Sequence, residues 1–320
     1  MLITGLAERL HTLAKKEGLY YPVNLLRGIE AALSIPRRFL IFHGPPGAGK
    51  SRLAQLIAEA MAAELRLVPV QAGWRDNAAL IGVHDAAQDR FLPGELVSLI
   101  GRAAAEPGRT FILCLEELSL GDPDGYLASV LCGLDADPPR LHLGIPGPEA
   151  RCGDGTIGGE LPLPDNLLFL GTLYMEAGKR KELPRKLLDR AALIELDLNN
   201  PRQFLSTQDA LRPGDEPLLA VFETLQNGRV SASYRVFREI RAALAGSPIA
   251  GASRDAVLDQ LLKSRVLPAI SGEAADVEDC LRDLVKLLSQ EEVRFPETLD
   301  KAMRMLEELE LHGYTAAYLS

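Results

Sequence analysis

The stretch RRFLIFHGPPGAGKSRLAQLIAEAMA, residues 37–62, decides the architecture. Four apolar residues, Phe39 to Phe42, run into a loop of glycine and proline, and an amphipathic pattern begins near Lys50. A short apolar run closed by turn residues and followed by a helical period reads as a buried strand feeding a helix. Inside the loop, Gly44, Pro45, Pro46, Gly47, Ala48, Gly49, Lys50 and Ser51 spell G-x-x-x-x-G-K-S. Glycines let backbone N–H groups turn inward around phosphates, the helix N-terminus adds its dipole, and Lys50 reaches the terminal phosphates. Ser51 supplies a hydroxyl to Mg2+. The pattern is a phosphate cradle for a nucleotide.

A cradle of this kind asks for an acid on another strand, and FILCLEELSL, residues 111–120, offers two. The apolar run Phe111 to Leu115 reads as a buried parallel strand whose C-terminal end carries Glu116 and Glu117 side by side. Neighbouring carboxylates repel unless a cation or a phosphate-bound metal lies between them. In P-loop NTPases a second strand brings an acid to the magnesium, and in many an adjacent glutamate orients the attacking water. Glu116 is therefore expected to face the metal and Glu117 the water. The plain alternative is a strand running into the first turn of a helix, where acids suit the dipole.

Outward from these two stretches, strand patterns at 39–42, 66–70, 111–115, 167–171 and 192–196 alternate with helical stretches such as 51–63, 94–105 and 124–134. Five apolar strands with helical crossovers predict an α/β fold, a parallel sheet between helices. Residues 136–166, rich in glycine and proline, read as an exposed hairpin and loop or as a disordered insertion. From Asn199 onward the pattern is helical, with stretches at 215–226, 232–245, 253–268, 276–289 and 297–312, no strand pattern, and a break at 245–253. The expected organisation is a nucleotide-binding α/β domain over 1–198 and an all-helical domain over 199–320.

The whole chain of 320 residues is 47% hydrophobic and 25% charged, which suits two soluble domains of ordinary size. A net charge of −9 argues against broad, non-specific binding to nucleic acid. Cys114, Cys132, Cys152 and Cys280 form no C-x-x-C pair and suit reduced thiols in a cytoplasmic protein. The five histidines lack metal-ligand spacing, the N-terminal stretch is not a signal peptide, and no stretch is long and apolar enough to span a bilayer.

With the cradle, the acid-tipped strand, two arginines in LDRA and SYRVFREI, and the helical second part, the chain resembles an AAA+ NTPase. The ordered set of VPVQAGWRDNAALIGVHDAAQDRFLPGEL, LPLPDNLLFLGT, LPRKLLDRAALIEL and FPETLDKAMRMLEELELHGYTAAYL resembles the McrB-like branch, related to MoxR. The resemblance implies that Arg190 is an arginine finger reaching the γ-phosphate of a neighbouring subunit, and that Arg235 is a sensor contacting nucleotide from the lid of its own subunit. A guanidinium fork suits both posts. Local pairing of Arg190 with Asp189, and of Arg235 with Glu239 at i, i+4, is the alternative. Tyr20, Tyr21 and Leu25 stand at the interval where AAA+ proteins often place residues around the base, or they are core. Trp74 and Asp76 either serve the site or organise their loop. The basic run KRKELPRK, 179–186, is a subunit-facing surface or a solvated face.

Two departures from the branch stand out. Its metal-side acid is usually aspartate, and here it is Glu116; its sensor-1 residue, commonly asparagine, aligns with Tyr174, with Thr172 a nearby polar substitute. The resemblance implies a homo-oligomeric, hexameric ring that binds ATP or GTP with Mg2+, drives a separate nuclease or effector subunit, and meets DNA only through that partner. A MoxR-like chaperone ATPase and a nucleotide-gated scaffold with little hydrolysis remain the rival readings.

Overall fold

The computed structural model describes residues 3–35, 39–153, 155–174, 183–196, 214–228, 230, 233–245, 253–290 and 294–317. The described residues fall into two compact units, one drawn from 1–44, 49–175 and 180–196, the other from 45–48 and 197–320.

The first unit runs α1 (Leu6–Lys16), α2 (Val23–Leu33), β1 (Phe39–Gly44), α3 (Lys50–Ala60), β2 (Glu64–Pro69), α4 (Ala78–Ile81), β3 (Gly82–Asp85), β4 (Arg90–Pro93) and α5 (Glu95–Ala105). It continues through β5 (Phe111–Glu116), α6 (Pro123–Tyr126), α7 (Ala128–Asp135), β6 (Arg140–His142), β7 (Glu149–Cys152), β8 (Gly155–Gly158), β9 (Glu160–Pro162), β10 (Leu167–Tyr174), α8 (Arg185–Leu188) and β11 (Ala191–Glu195). The five anticipated strands form one sheet in the order β11-β1-β10-β5-β2, with every pairing parallel. Residues 167–173 of β10 and 111–115 of β5 are buried without interruption, because a parallel sheet covered on both faces has no solvent side. Phe39 and Phe169 meet across the register with centroids 5.9 Å apart.

Register sets the chemistry. Gly44 at the end of β1 lies opposite Tyr174 at the end of β10, and Gly171 of β10 lies opposite Leu115 of β5. The phosphate loop, the pair Thr172 and Tyr174, and the acid pair all leave the sheet along its C-terminal edge.

Residues 136–166 are built as two nested hairpins: β6 pairs with β9, and β7 pairs with β8 between them. The inner hairpin of this insertion joins, through the edge of β7, a hairpin the sequence pattern did not announce, β3–β4, with Arg90 opposite Arg151, giving a sheet β3-β4-β7-β8. The helix expected at 124–134 is interrupted by Leu127 into α6 and α7.

The second unit contains α9 (Glu216–Asn227), α10 (Tyr234–Ala245), α11 (Arg254–Leu261), β12 (Ser271–Glu273), α12 (Ala274–Gln290), α13 (Pro296–His312) and β13 (Tyr314–Ala316). Its core includes Phe222 and Phe237, packed edge-to-face at 5.0 Å. Buried Asp259 accepts the Glu297 and Thr298 amides and so caps the N-terminus of α13. Two expectations need correction here. The helix drawn over 253–268 ends at Leu261, widens to a π turn over Leu262–Val266 and tightens to a 3-10 turn over Leu267–Ala269. Pro268 has no N–H to continue the helical ladder, which accounts for the change of pitch. The part expected to be free of strands holds the antiparallel pair β12–β13, whose three-residue members are too short to show a period. The break expected at 245–253 lies almost wholly outside the described residues.

Candidate nucleotide-binding site

The loop between β1 and α3 bends at Gly44, Gly47 and Gly49, with φ of 147°, 72° and 84°. Side chains with a Cβ avoid that half of conformational space, so the glycines are required by the path of the backbone. No side chain caps α3, so the N–H groups of its first turn are left facing the loop, the arrangement that binds an anion. Lys50 Nζ donates to the Gly44 carbonyl at 2.8 Å, folding the ammonium back across the loop. Burial pushes the Lys50 ammonium down to about 8, and the charge of Glu117 opposes that shift.

Tyr21, expected beside a nucleotide base, is buried, and its hydroxyl donates to the Gly49 carbonyl at 3.0 Å. A Cβ on Gly49 would come within 2.6 Å of that hydroxyl. The ring therefore braces the loop from behind. Burial raises the Tyr21 phenol far above its ordinary range, so it remains a donor. Tyr20 and Leu25 are half-buried.

At the end of β5, Glu116 is half-buried and Glu117 exposed. The Glu117 backbone is left-handed, with φ 59°. Its amide donates to Thr172 Oγ1 at 3.0 Å, and the next amide, of Leu118, donates to the Thr172 carbonyl at 2.9 Å. Tyr174, two residues on, is 39% exposed and places its ring centroid 6.0 Å from Lys50 Nζ. That is the outer limit of a cation–π contact.

Trp74 packs edge-to-face on Tyr126 at 5.6 Å, and its carbonyl accepts the Asp122 amide. Asp76 accepts the Ala78 amide, and Asn77 donates to Ser129. These bonds tie the segment after β2 to the segment after β5, so Trp74 and Asp76 organise their loop.

Arg190 follows α8 and grips Asp135, the last residue of α7, with two guanidinium nitrogens, while a third donates to the Lys186 carbonyl. The alternative partner expected from sequence, Asp189, contributes charge only, and the guanidinium is held further toward its charged form chiefly by the Asp135 bond. Asp135 was not anticipated as part of the site. A carboxylate at a helix C-terminus opposes the dipole, a signal that it is held there by a cation. In the second unit Arg235 is 73% exposed, 3.8 Å from Glu239. Half of the basic run, 179–182, lies outside the described residues.

All four cysteines are free, and burial pushes the Cys114 and Cys280 thiols up to about 12. An open depression of about 460 Å³ beside Arg66, Glu95 and Arg102 lies at β2, the edge strand farthest from β11. Its arginines are committed to Glu95 and Glu64, so it offers no free charge to a ligand.

Residues 39–134 match the family model described as AAA domain (dynein-related subfamily). The α/β unit has the AAA+ fold. The AAA+ fold, a central parallel sheet flanked by helices, is followed by a helical C-terminal region, and residues 194–314 of it match the model described as Domain of unknown function (DUF8727). Curated relatives include three Lon proteases. The chain is 32% identical to that of Malacoplasma penetrans over 165 residues, 51% of this chain and 19% of the relative. The figures are 30% over 158 residues for Leptospira interrogans, 49% and 17%, and 29% over 130 residues for Aquifex aeolicus, 38% and 16%. The chain spans less than a fifth of the length of each. Among the described residues no helix is long and apolar enough to cross a membrane.

Proposed function

We propose that the chain is a ring-forming nucleoside triphosphatase of the McrB-like branch, with the nucleotide domain over 1–198 and the helical lid over 199–320. The observation that carries the reading is the strand order β1-β10-β5, which supports a division of labour along one sheet edge. The loop from Gly44 to Ser51 cradles the phosphates of ATP or GTP. Lys50 exchanges the Gly44 carbonyl for phosphate oxygen. Ser51 and Glu116 would hold Mg2+, which supplies charge neutralisation on the phosphates when bound. A hydroxyl and a carboxylate are hard oxygen donors of the kind that ion takes. Glu117 accepts a proton from the attacking water. Arg190 acts on a neighbour's γ-phosphate after releasing Asp135, and Arg235 contacts nucleotide from the lid.

The ring, hexameric by resemblance, works in the cytoplasm and drives a separate nuclease or defence effector, with DNA met through that partner. The likeness to stretches of Lon proteases favours a second reading, remodelling of protein complexes as in MoxR-like ATPases. Turnover and sedimentation with Mg-ATP and with Mg-GTP, each with and without the product of the neighbouring gene, test both. Assembly with nucleotide and stimulation by a nuclease-bearing neighbour are expected. Stimulation by protein substrates alone supports remodelling, and a monomer that hydrolyses at full rate refutes the trans finger.

A further inference from the structure

Thr172 is the one hydroxyl in a strand otherwise made of leucine, phenylalanine and glycine up to Leu173, and it is 2% exposed. A hydroxyl that deep needs a partner. It has one in the Glu117 amide.

That amide needs an acceptor because of its own backbone. Three described non-glycine residues have positive φ: Ala62, Asp89 and Glu117. Ala62 follows the end of α3 and Asp89 turns the β3–β4 hairpin, both ordinary places for a left-handed residue. Glu117 instead follows directly on a central strand. A residue with a Cβ holds that conformation only where its surroundings impose it. The left-handed turn at Glu117 brings the Leu118 N–H onto the Thr172 carbonyl, and the Glu117 N–H is received by the Thr172 hydroxyl instead. The following residues are held as well: Leu118 N–H by the Thr172 carbonyl, the Leu118 carbonyl by the Tyr126 hydroxyl at 2.9 Å, and the Glu117 carbonyl by Leu120 N–H at 2.8 Å. Gly171 leaves room for the Leu118 side chain, since a Cβ there would lie 2.4 Å from Leu118 Cδ1.

We infer that Thr172 is a positioning residue that reaches the nucleotide only through Glu117: its hydroxyl fixes the left-handed turn that presents the Glu117 carboxylate to water at the sheet edge. The inference rests on the hydrolytic reading above. Relaxing Glu117 to extended backbone would send its carboxylate to the other side of the strand. Direct contact of Thr172 with phosphate is the competing role, and its burial and its bond to Glu117 argue against it.

Thr172→Val keeps the shape and removes the acceptor. A misplacement of the acid by about 1 Å predicts a loss of turnover on the order of 10²-fold with Mg-ATP bound as tightly as before. Thr172→Ser restores turnover. Glu117→Gln is not made slower by adding Thr172→Val, because residues acting as one unit are non-additive. By hydrogen exchange, the Glu117 amide loses protection in Thr172→Val while the Leu118 amide keeps it. Thr172→Ala, checked by thermal melting, carries the same expectation if the valine variant does not fold. Turnover equal to wild type, or a loss of affinity matching the loss of turnover, overturns the inference. If wild type itself hydrolyses neither ATP nor GTP, the hydrolytic reading fails and this inference falls with it.

Discussion

Asp135→Asn is the sharpest probe of Arg190. As a finger, Arg190 must leave Asp135 before it can meet a phosphate on another subunit, so the energy of that grip bounds what its loss can do. The side chains are 23% and 42% exposed. A pair in that setting is worth up to about 1 kcal/mol even with two parallel bonds, and at about 1.4 kcal/mol per factor of ten this corresponds to roughly fivefold. The Arg190 bond to the Lys186 carbonyl survives the change. Asparagine at 135 is thus expected to raise turnover in assembled protein by up to about fivefold, where the finger itself is worth about 10³-fold or more. Arg190→Ala should lower turnover by that larger factor with nucleotide binding intact, and Asp135→Asn should do nothing further in its presence. Steady-state turnover at a protein concentration that saturates assembly, with a thermal melt of each variant, reads all three. A drop of about tenfold or more in folded Asp135→Asn would refute the reasoning, because Asp135 would then be aiming Arg190 for catalysis rather than holding it back.

Glu117→Gln should retain triphosphate and stabilise the assembled state, whereas Glu116→Gln should weaken Mg2+-dependent binding; equal effects of both on the Mg2+ titration would reject the division between them. Tyr174→Asn should raise turnover while affinity moves little, since a cation–π contact at its outer limit is worth about 0.5–1 kcal/mol; slower turnover would show that the tyrosine already holds the water adequately. Tyr21→Phe removes the brace on Gly49 and should weaken triphosphate binding by about the value of one hydrogen bond, 0.5–1.5 kcal/mol, read by titration calorimetry. The Arg294 bond holds Asp255 below its ordinary range, so its contribution is present above the usual carboxylate pKa and is lost as pH falls through the depressed value. Arg294→Ala should therefore lower the melting temperature at neutral pH and leave it unchanged at the acid end of the profile.

The inner strands β1, β10 and β5 were legible because a strand buried on both faces must be a continuous apolar run, whereas the edge strands β2 and β11 are only partly buried and were legible from short apolar runs between helical stretches. The hairpin at 82–93 was not, since its strands are short and held by pairing that no local period records; at 136–166 a hairpin was one of two readings, and its nesting into two pairs depends on contacts at a distance. The bends of the loop were legible because Gly44, Gly47 and Gly49 answer to backbone geometry. Tyr21 was visible as an aromatic at a suggestive interval, but its bond to the Gly49 carbonyl depends on tertiary packing of the segment between α1 and α2. Arg190 could be singled out from LDRA, yet its partner is 55 residues away, and proximity in sequence favoured Asp189. Pro268, the last residue of the helix expected over 253–268, was the one local sign that its final turns could not keep the α pitch.

On the proposed reading, strand geometry lets the position of the branch's short amide be divided between two residues. Side chains two apart on a strand share a face and stand about 7 Å apart along it. On β10, Thr172 and Tyr174 are such a pair, and the strand lies between β1 and β5. Thr172 is deep enough to meet the first residue beyond β5, Glu117, and Tyr174 is far enough along to meet the first residue of α3, Lys50. A single asparagine at 174 could reach phosphate or water at short range but could not also serve Glu117 from there. With tyrosine the outer position is filled by a ring lying toward the ammonium, so ordering of the water falls more heavily on Glu117 and hence on the hydroxyl that fixes its backbone. On this argument Thr172→Val should be more damaging than Tyr174→Phe, although only the second residue approaches Lys50, the lysine proposed to bind phosphate.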